Sequence, residues 1–285
     1  MTRIHAVCLV NNEEDIIGQT LSYASQFCYK IYVFDTGSTD NSWAKVQQVE
    51  NSVVVPFRRE KVAFYDGLRA QVFNAVRDQC SLGDWFFILD ADEFLAEDPK
   101  RAISLADQEG ADQINTLQYN FYFTDKDWQA YKDGKDSREQ PIAQRRHYYR
   151  FVNIEQRLFR ITEDLVWPDY IDCANPRGYM KPIGEKKRKK CSYKIPNRHY
   201  QYRDPEQIQL RLKTRLAARN ANSSNFVHYQ HLDDGVDWIK SIVPSSKLHY
   251  YSNDGQFKFT MSERIGVFKQ MFGSRDFFRF DFLVT

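Results

Sequence analysis

The sequence predicts an α/β fold with a mainly parallel central sheet and helices on both of its faces. One observation is that short apolar runs rich in Val, Ile and Phe recur along the first third of the chain, as expected for strands buried on both faces. These runs are Ile4–Val10, Lys30–Phe34, Ser52–Val55 and Trp85–Leu89. The other is that apolar residues between them recur at helical spacing, over Ile16–Phe27 and Leu68–Val76. Alternating strands and helices imply right-handed crossovers and parallel strand pairs.

Composition narrows the class of protein. The 285 residues suit one α/β domain with a small extension. A net charge of +2 provides no global field for nucleic acid, so we expect no nucleic-acid partner. The five cysteines are odd in number and form no C-x-x-C pair, which favours a reducing compartment over a disulfide framework. No stretch is long and apolar enough to span a bilayer. We expect a cytoplasmic protein, with any membrane contact peripheral at the inner face.

The strand–helix alternation ends after about residue 112. Gln113–Phe123 and Gln156–Ile161 have the composition of extended aromatic segments, and polar Asp125–Arg146 is typical of a surface loop. Asp204 and Pro205 are residue types that cap and begin a helix. The sequence therefore predicts three parts: a nucleotide-binding half over residues 1–96, an acceptor half over 97–220, and a helical, aromatic C-terminal extension over 221–285.

An acidic triplet, Asp90-Ala91-Asp92, follows the fourth predicted strand. Ligands of open α/β sheets bind at the carboxyl ends of strands. Alternate residues of an extended backbone point to the same side, so Asp90 and Asp92 can face one ligand. Neighbouring carboxylates repel each other unless a cation lies between them, and oxygen ligands suit Mg²⁺ or Mn²⁺. Taken alone, the triplet is equally compatible with acids that only cap the next turn.

Four further segments accompany the triplet. They are Val10–Glu14, Phe34–Asp40, Arg157–Arg160 and His199–Arg203. With D-T-G-S-T-D at 35–40 and D-A-D-E-F at 90–94, the chain resembles a bacterial branch of glycosyltransferase family 2, strongly over residues 4–96 and partially over 112–215. The resemblance implies the Rossmann-like GT-A fold. It also implies inverting transfer of a sugar, of hexosyl type, from a nucleotide-diphosphate sugar to a glycan or lipid-linked acceptor. By family frequency the donor is a UDP-sugar.

The resemblance also implies roles for individual residues. The implied nucleotide-binding residues are Val10, Asn12, Glu13, Asp35, Thr36, Arg69, Asp90, Ala91 and Arg203. The implied ligands of Mn²⁺ or Mg²⁺ are Asp90, Asp92 and His199. Thr36 stands where many members carry a second Asp, which removes one polar contact to the base. For Arg69, His199 and Arg203 a purely structural role remains the alternative.

The general base is the least defined part of the predicted site. In the branch that the chain resembles, R-L-F-R is followed by a His-Glu pair, which is absent here. Asp172 falls closest to that position, and Asp169 is the second candidate. Each also suits a plain turn, since Pro-Asp sequences are typical of turns.

Two other surfaces have open interpretations. The run Glu185–Lys190 is typical of a solvated loop, but it also suits contact with anionic lipid or a lipid-diphosphate acceptor. The segment Ile265–Phe272, followed by Phe277, Phe278 and Phe280, either lies on a membrane surface or packs on the catalytic domain.

Two rival functions also remain. A nucleotidyltransferase would share the sheet and the acids, but it needs a Gly-rich, basic loop where Asn11–Glu14 stands. A non-catalytic or degenerate sugar-nucleotide-binding protein is favoured by the missing His-Glu pair and opposed by the intact pair of Asp90 and Asp92.

Overall fold

The computed structural model describes the backbone of residues 2–175, 178–221 and 237–272. The first part of the chain alternates strands and helices. In order, these are β1 Ile4–Val10, α1 Ile17–Ala24, β2 Lys30–Asp35, α2 Ser42–Gln48, β3 Val54–Arg59, α3 Gly67–Val76 and β4 Trp85–Asp90. The four strands pair in parallel in the order β3-β2-β1-β4. This confirms the α/β architecture with a mainly parallel sheet in the first part of the chain.

The third strand differs from its prediction. It begins two residues later than expected, at Val54, and continues through Pro56 to Arg59. Proline cannot donate to a strand ladder and is tolerated on an edge strand. Because β3 pairs only with β2 and ends the sheet, Pro56 does not terminate it.

The remaining elements extend the same sheet with mixed strand directions. They are β5 Glu93–Leu95, α4 Lys100–Glu109, β6 Gln113–Phe121, α5 Asp125–Lys132, α6 Ile142–Arg145, β7 Tyr148–Arg160, β8 Lys190–His199, α7 Pro205–Ala221, β9 His249–Tyr250 and α8 Met261–Phe272. The sheet continues from β4 as β7-β6-β8-β5, with β9 paired to β7. Strand β7 is antiparallel to β4, and β6 is parallel to β8.

The prediction of a surface loop over Asp125–Arg146 is wrong. Helix α5 begins within it, because Thr124 and Asp127 form a capping box in which the Asp127 carboxylate accepts the Thr124 N–H at 2.8 Å. Arg145 and Arg146 are buried and form ion pairs with Asp136, at 2.7 and 2.6 Å respectively. Asp136, Arg145 and Arg146 therefore pair with one another in the interior, although most of the segment is exposed, and composition does not distinguish such a pair from solvated charges.

The described part of the C-terminal extension packs on the acceptor half. Phe257 stacks on Tyr119 of β6 with ring centroids 4.1 Å apart, and Tyr251 lies beside Phe121. Val267 of α8 is buried in the same aromatic cluster, so this helix packs on the domain, the second of the two expected arrangements. The phenylalanines of 277–280 lie outside the described residues, and the division at residue 220 stays a prediction. No helix in the described ranges has the length and apolarity to cross a membrane.

Candidate active site

The turns after β1 and β2 form one hydrogen-bonded unit. Asn12 adopts a left-handed backbone conformation (φ 57°), which Asn tolerates better than most residues. Its N–H donates to the Ser38 hydroxyl at 3.0 Å, and its side-chain oxygen accepts the Thr39 N–H at 2.8 Å. The Glu13 N–H donates to Ser42 at 2.7 Å. These bonds fix the two predicted nucleotide-binding turns against each other.

Asp35 ends β2 and is fully buried. Its Oδ1 accepts the N–H groups of Gly37 and Ser38 at 2.8 and 2.7 Å. Its Oδ2 is buried and has no hydrogen-bond partner among the described residues. Gly37 has φ 107°, and a Cβ there would lie 2.9 Å from the Cα of Lys61, so the turn requires glycine. The turn thus places one unpaired carboxylate oxygen beside the predicted base-binding position.

Asp90 lies between two arginines. Its Oδ1 accepts from Arg69 at 2.6 Å, and its Oδ2 accepts from Arg157 at 2.9 Å. Burial alone would raise the pKa of Asp90, but Arg157 and Arg69 hold it well below its ordinary value. Asp90 is therefore ionised at any physiological pH, and both of its oxygens face a guanidinium.

Asp92 lies in a second cationic group. Strand β5 pairs antiparallel with β8, which sets Glu93 opposite His199 and brings the histidine to Asp92. The Asp92 Oδ2 lies 3.3 Å from His199 Nε2, 2.9 Å from Arg211 Nη1 and 3.7 Å from Arg203 Nη1. Burial opposes ionisation of Asp92, but His199 and Arg211 lower its pKa strongly. Asp92 in turn raises the pKa of His199 against the effect of burial.

Arg203 connects this group to the turn after β1. It is fully buried, and its guanidinium donates to both oxygens of Asp15 at 2.6 and 2.9 Å. It also donates to Glu13, which Arg211 contacts at 3.2 Å. The predicted residues Glu13, Asp92, His199 and Arg203 are therefore brought together in the described structure.

Glu93 supports the cluster around Asp90. Its oxygens accept from Gln118 at 2.6 Å, from Asn197 at 2.8 Å and from Arg157 at 2.5 Å. Burial raises the pKa of Glu93 to about 7, although Arg157 opposes the shift. Glu93 thus fixes the arginine that holds Asp90.

The two candidate bases lie on the connection between β7 and β8. The Asp172 carboxylate accepts the Tyr179 hydroxyl at 2.8 Å and the Asn175 N–H at 2.6 Å, and these bonds lower its pKa. Asp169 is exposed. A Cβ at Gly67 would lie 3.3 Å from the Asp169 main-chain oxygen, so this connection packs on the start of α3, two residues before Arg69. The catalytic role of either acid stays a prediction.

Sequence reasoning assigned no role to four residues of the site: Arg157, Arg211, Glu155 and Asn120. Arg157 begins the R-L-F-R segment, so its position in that motif was a usable signal. Arg211 lies in α7, eight residues after Arg203. It contacts the Asp92 carboxylate, as Arg203 does, because α7 packs beside Asp92. Such proximity has no signature in the sequence.

A metal ion would find two convergent protein ligands here. In the described part of the chain, no three His, Cys, Asp or Glu side chains are arranged to hold an ion by themselves. Asp92 and His199 nevertheless face each other, and the His199 Nδ1 lies 2.8 Å from the Asn120 Oδ1. If Nδ1 donates to that oxygen, loss of the proton that Nε2 shares with Asp92 would let Nε2 bind a metal, an arrangement common around metal-binding histidines. Two protein ligands suit Mg²⁺ or Mn²⁺, which keep positions for phosphate and water.

Comparison with known proteins shows the family of the chain. The sequence pattern described as "Glycosyl transferase family 2" matches residues 7–163. The chain belongs to glycosyl transferase family 2.

Solved structures add only a distant likeness. S. aureus TarS matches with 13% identity and a TM-score of 0.37, over 81% of this chain and 44% of that chain. TarS 1–349 in complex with UDP matches with 14% identity and a TM-score of 0.37, over 86% of this chain and 77% of that one. The chain thus spans less than half the length of the first of these proteins. No curated protein sequence matches.

Proposed function

We propose that the chain transfers a glycosyl group from a nucleotide-diphosphate sugar to a hydroxyl of a glycan or lipid-linked acceptor, with inversion and with Mn²⁺ or Mg²⁺. Family frequency favours UDP as the nucleotide. One observation carries the proposal. Asp92 and His199 face each other at the carboxyl edge of the sheet, beside Arg203 and Arg211, whose charge suits a diphosphate. Negative charge grows on the diphosphate as its bond to the sugar breaks, and fixed cationic groups stabilise that charge.

The base end of the nucleotide would lie against Asp35. A buried carboxylate oxygen without a donor is costly, and an N–H of a nucleobase would supply one. The neighbouring Thr36 hydroxyl already accepts from Asn11 at 3.2 Å and donates to the Val10 carbonyl at 3.3 Å. We therefore assign the polar base contact to Asp35 rather than to Thr36.

The diphosphate end would lie among Arg69, Arg157, Arg203 and Arg211. Guanidinium groups bind phosphate oxygens through paired, charge-assisted hydrogen bonds. A bound divalent ion would be held by Asp92 and His199, with Asp90 near its water, and would add charge stabilisation to the leaving diphosphate. In this arrangement the arginines release part of their contact with the carboxylates to contact the phosphates.

The acceptor hydroxyl needs a base to take its proton as the bond to the anomeric carbon forms. Three features favour Asp169 over Asp172: it is exposed, it lies next to the start of α3, and the Asp172 carboxylate is already occupied by Tyr179 and Asn175. We propose Asp169 as the base and Asp172 as the residue that closes the following turn, through its bonds with Asn175.

A screen of nucleotides tests the donor half. UDP, GDP, dTDP and CDP are each added with Mn²⁺ or with a chelator, and the melting temperature is followed. We expect one nucleotide to raise the melting temperature only with Mn²⁺, and Asp92→Asn to remove that rise. The matched control is Asp78→Asn, an exposed carboxylate outside the site, which should keep it. A rise that survives in Asp92→Asn would refute the metal assignment.

A further inference from the structure

Exposed apolar side chains are concentrated on the connection between β7 and β8. Large apolar residues are normally buried, and a cluster of exposed ones marks an interaction surface. Five such residues lie here and are called the apolar patch: Val166, Tyr170, Ile171, Met180 and Ile183. Met180 is 63% exposed, more than any other large apolar residue of the described domain except Met261 on α8.

The apolar patch is supported by ordered structure. Val166 and Ile183 exchange two backbone hydrogen bonds, at 3.0 and 2.8 Å. The buried Trp167 donates its indole N–H to the Tyr179 carbonyl at 2.6 Å. A Cβ at Gly178 would lie 2.8 Å from the backbone nitrogen of Gly67, so the connection packs tightly against α3. The apolar side chains are therefore exposed on a backbone that is held in place by these contacts.

Five lysines lie in the same segment of the chain as Met180 and Ile183 or directly after it. They are exposed and are called the lysine rim: Lys181, Lys186, Lys187, Lys189 and Lys190. Arg188, within the same run, turns inwards towards Asp112 at 3.7 Å. Lys181 donates to the neutral amide of Gln156 at 2.7 Å. Partial burial, and then the charge of Lys190, lower the pKa of the Lys181 ammonium group.

Acidic residues of the same connection are partly engaged internally. The Asp164 carboxylate accepts the Thr162 hydroxyl at 2.7 Å and the Glu185 N–H at 3.1 Å. Asp172 is held by Tyr179 at 2.8 Å. Glu163, Asp169 and Glu185 are exposed, so the five lysines still outnumber the exposed acids of this connection.

We propose that the apolar patch and the lysine rim dock the enzyme on the surface of an anionic lipid bilayer. Apolar side chains enter the boundary between headgroups and acyl chains, while neighbouring lysines contact the anionic headgroups. The patch packs on the start of α3, two residues from Arg69, so docking would bring the candidate site close to the lipid surface. This contact does not depend on the proposed reaction, and it differs from docking through α8, whose Val267 packs on the domain.

Binding to lipid vesicles tests the proposal in the full chain. Cys173 is exposed on the same connection, whereas the other four cysteines are buried, so a polarity-sensitive dye can be attached to it selectively. We expect a blue shift with phosphatidylglycerol vesicles and little change with phosphatidylcholine vesicles. Lys186→Gln with Lys187→Gln should weaken binding roughly thirtyfold, which corresponds to about 1 kcal/mol for each lysine. Met180→Ser should weaken it about tenfold, since a buried Met side chain contributes at least this much.

Matched substitutions on other surfaces are the controls. Lys45→Gln with Lys135→Gln removes the same charge elsewhere, and Met261→Ser removes an exposed methionine of α8. All of these should leave vesicle affinity within about twofold, because these surfaces do not face the bilayer. No binding to anionic vesicles would overturn the proposal, as would affinity lost in Met261→Ser but kept in Met180→Ser. Self-association that Met180→Ser abolishes would assign the patch to a second copy and also overturn it. Nucleotide binding with Mn²⁺, measured without lipid, is a separate test of the proposed reaction.

Discussion

Replacing Asp204 with Asn should destabilise the protein substantially while changing almost no volume. The Asp204 carboxylate is almost fully buried and accepts from Arg138 at 2.9 and 2.7 Å, from Arg145 at 3.4 Å and from the Gln207 N–H at 3.0 Å. Asn keeps the shape but loses the charge that two arginines neutralise. Removing one partner of a buried ion pair typically costs 3–5 kcal/mol. Because Asn can still accept from Gln207, we expect a loss of about 3 kcal/mol in the free energy of unfolding.

Urea denaturation at neutral pH measures this loss, with Asp107→Asn as the matched control. Asp107 pairs with Arg160 at the surface, where such a pair contributes up to about 1 kcal/mol. Burial would raise the pKa of Asp204, but Arg138 and Arg145 lower it strongly. Its stabilising effect is therefore full above the unfolded pKa of about 3.9 and is lost as the pH falls through the lower folded pKa. The difference between parent and variant should thus shrink below about pH 4.

The same substitution should weaken nucleotide binding, because Asp204 anchors the start of α7. Arg203 precedes it directly, and Arg211 reaches Asp92 from the second turn of the helix. A stability within about 1 kcal/mol of the parent, together with unchanged nucleotide affinity, would refute this interpretation of the buried ion pairs.

Three further predictions concern the site. Asp169→Asn should retain nucleotide binding and lose transfer by at least about a hundredfold, whereas Asp172→Asn should retain most transfer; product formation from a nucleotide-sugar panel decides this, and the reverse order would assign the base to Asp172. Burial raises the pKa of Glu93 to about 7, so the stabilisation from its protonated form is lost as pH rises from about 4.5 to 7. The free energy of unfolding of Glu93→Gln, relative to the parent protein, should therefore increase by about 3 kcal/mol over that pH range. A difference that does not change with pH would contradict this prediction. Asp92 raises the pKa of His199 against burial, and a metal ligand must be neutral, so the Mn²⁺ affinity measured by calorimetry should increase as pH rises above about 6.5. An affinity that is constant with pH would remove His199 from the metal site.

The nucleotide-binding half could be predicted from the sequence because its signals are local. Each buried parallel strand is a continuous apolar run. The residues after it lie at the ligand-binding edge of the sheet, and this position does not depend on contacts with distant parts of the chain. The position of Asp90 and Asp92 after β4 therefore indicated a ligand-binding edge, whereas the role of Asp35 was implied only by the family resemblance. The turn after β1 and its hydrogen bonds to Ser38 and Ser42 agree with that interpretation.

The acceptor half could not be predicted in the same way. His199 reaches Asp92 because β8 pairs with β5. Arg211 reaches Asp92 because α7 packs beside that residue. In both contacts the two residues are far apart in the sequence, and no periodic pattern in the sequence predicts that they meet. The ion pairs of Asp136 with Arg145 and Arg146 show the same limit, since buried pairs and solvated charges have the same composition.

Hydrolysis of nucleotide sugars without an acceptor tests the central proposal most directly. Purified protein is incubated with UDP-, GDP-, dTDP- and CDP-sugars in the presence of Mn²⁺, and release of the free nucleotide diphosphate is measured. The proposed function predicts slow release from one nucleotide class that requires the metal, that disappears in Asp92→Asn and that persists in Asp78→Asn. Release at the parent rate in Asp92→Asn, or no release and no metal-dependent nucleotide binding with any donor, would contradict it.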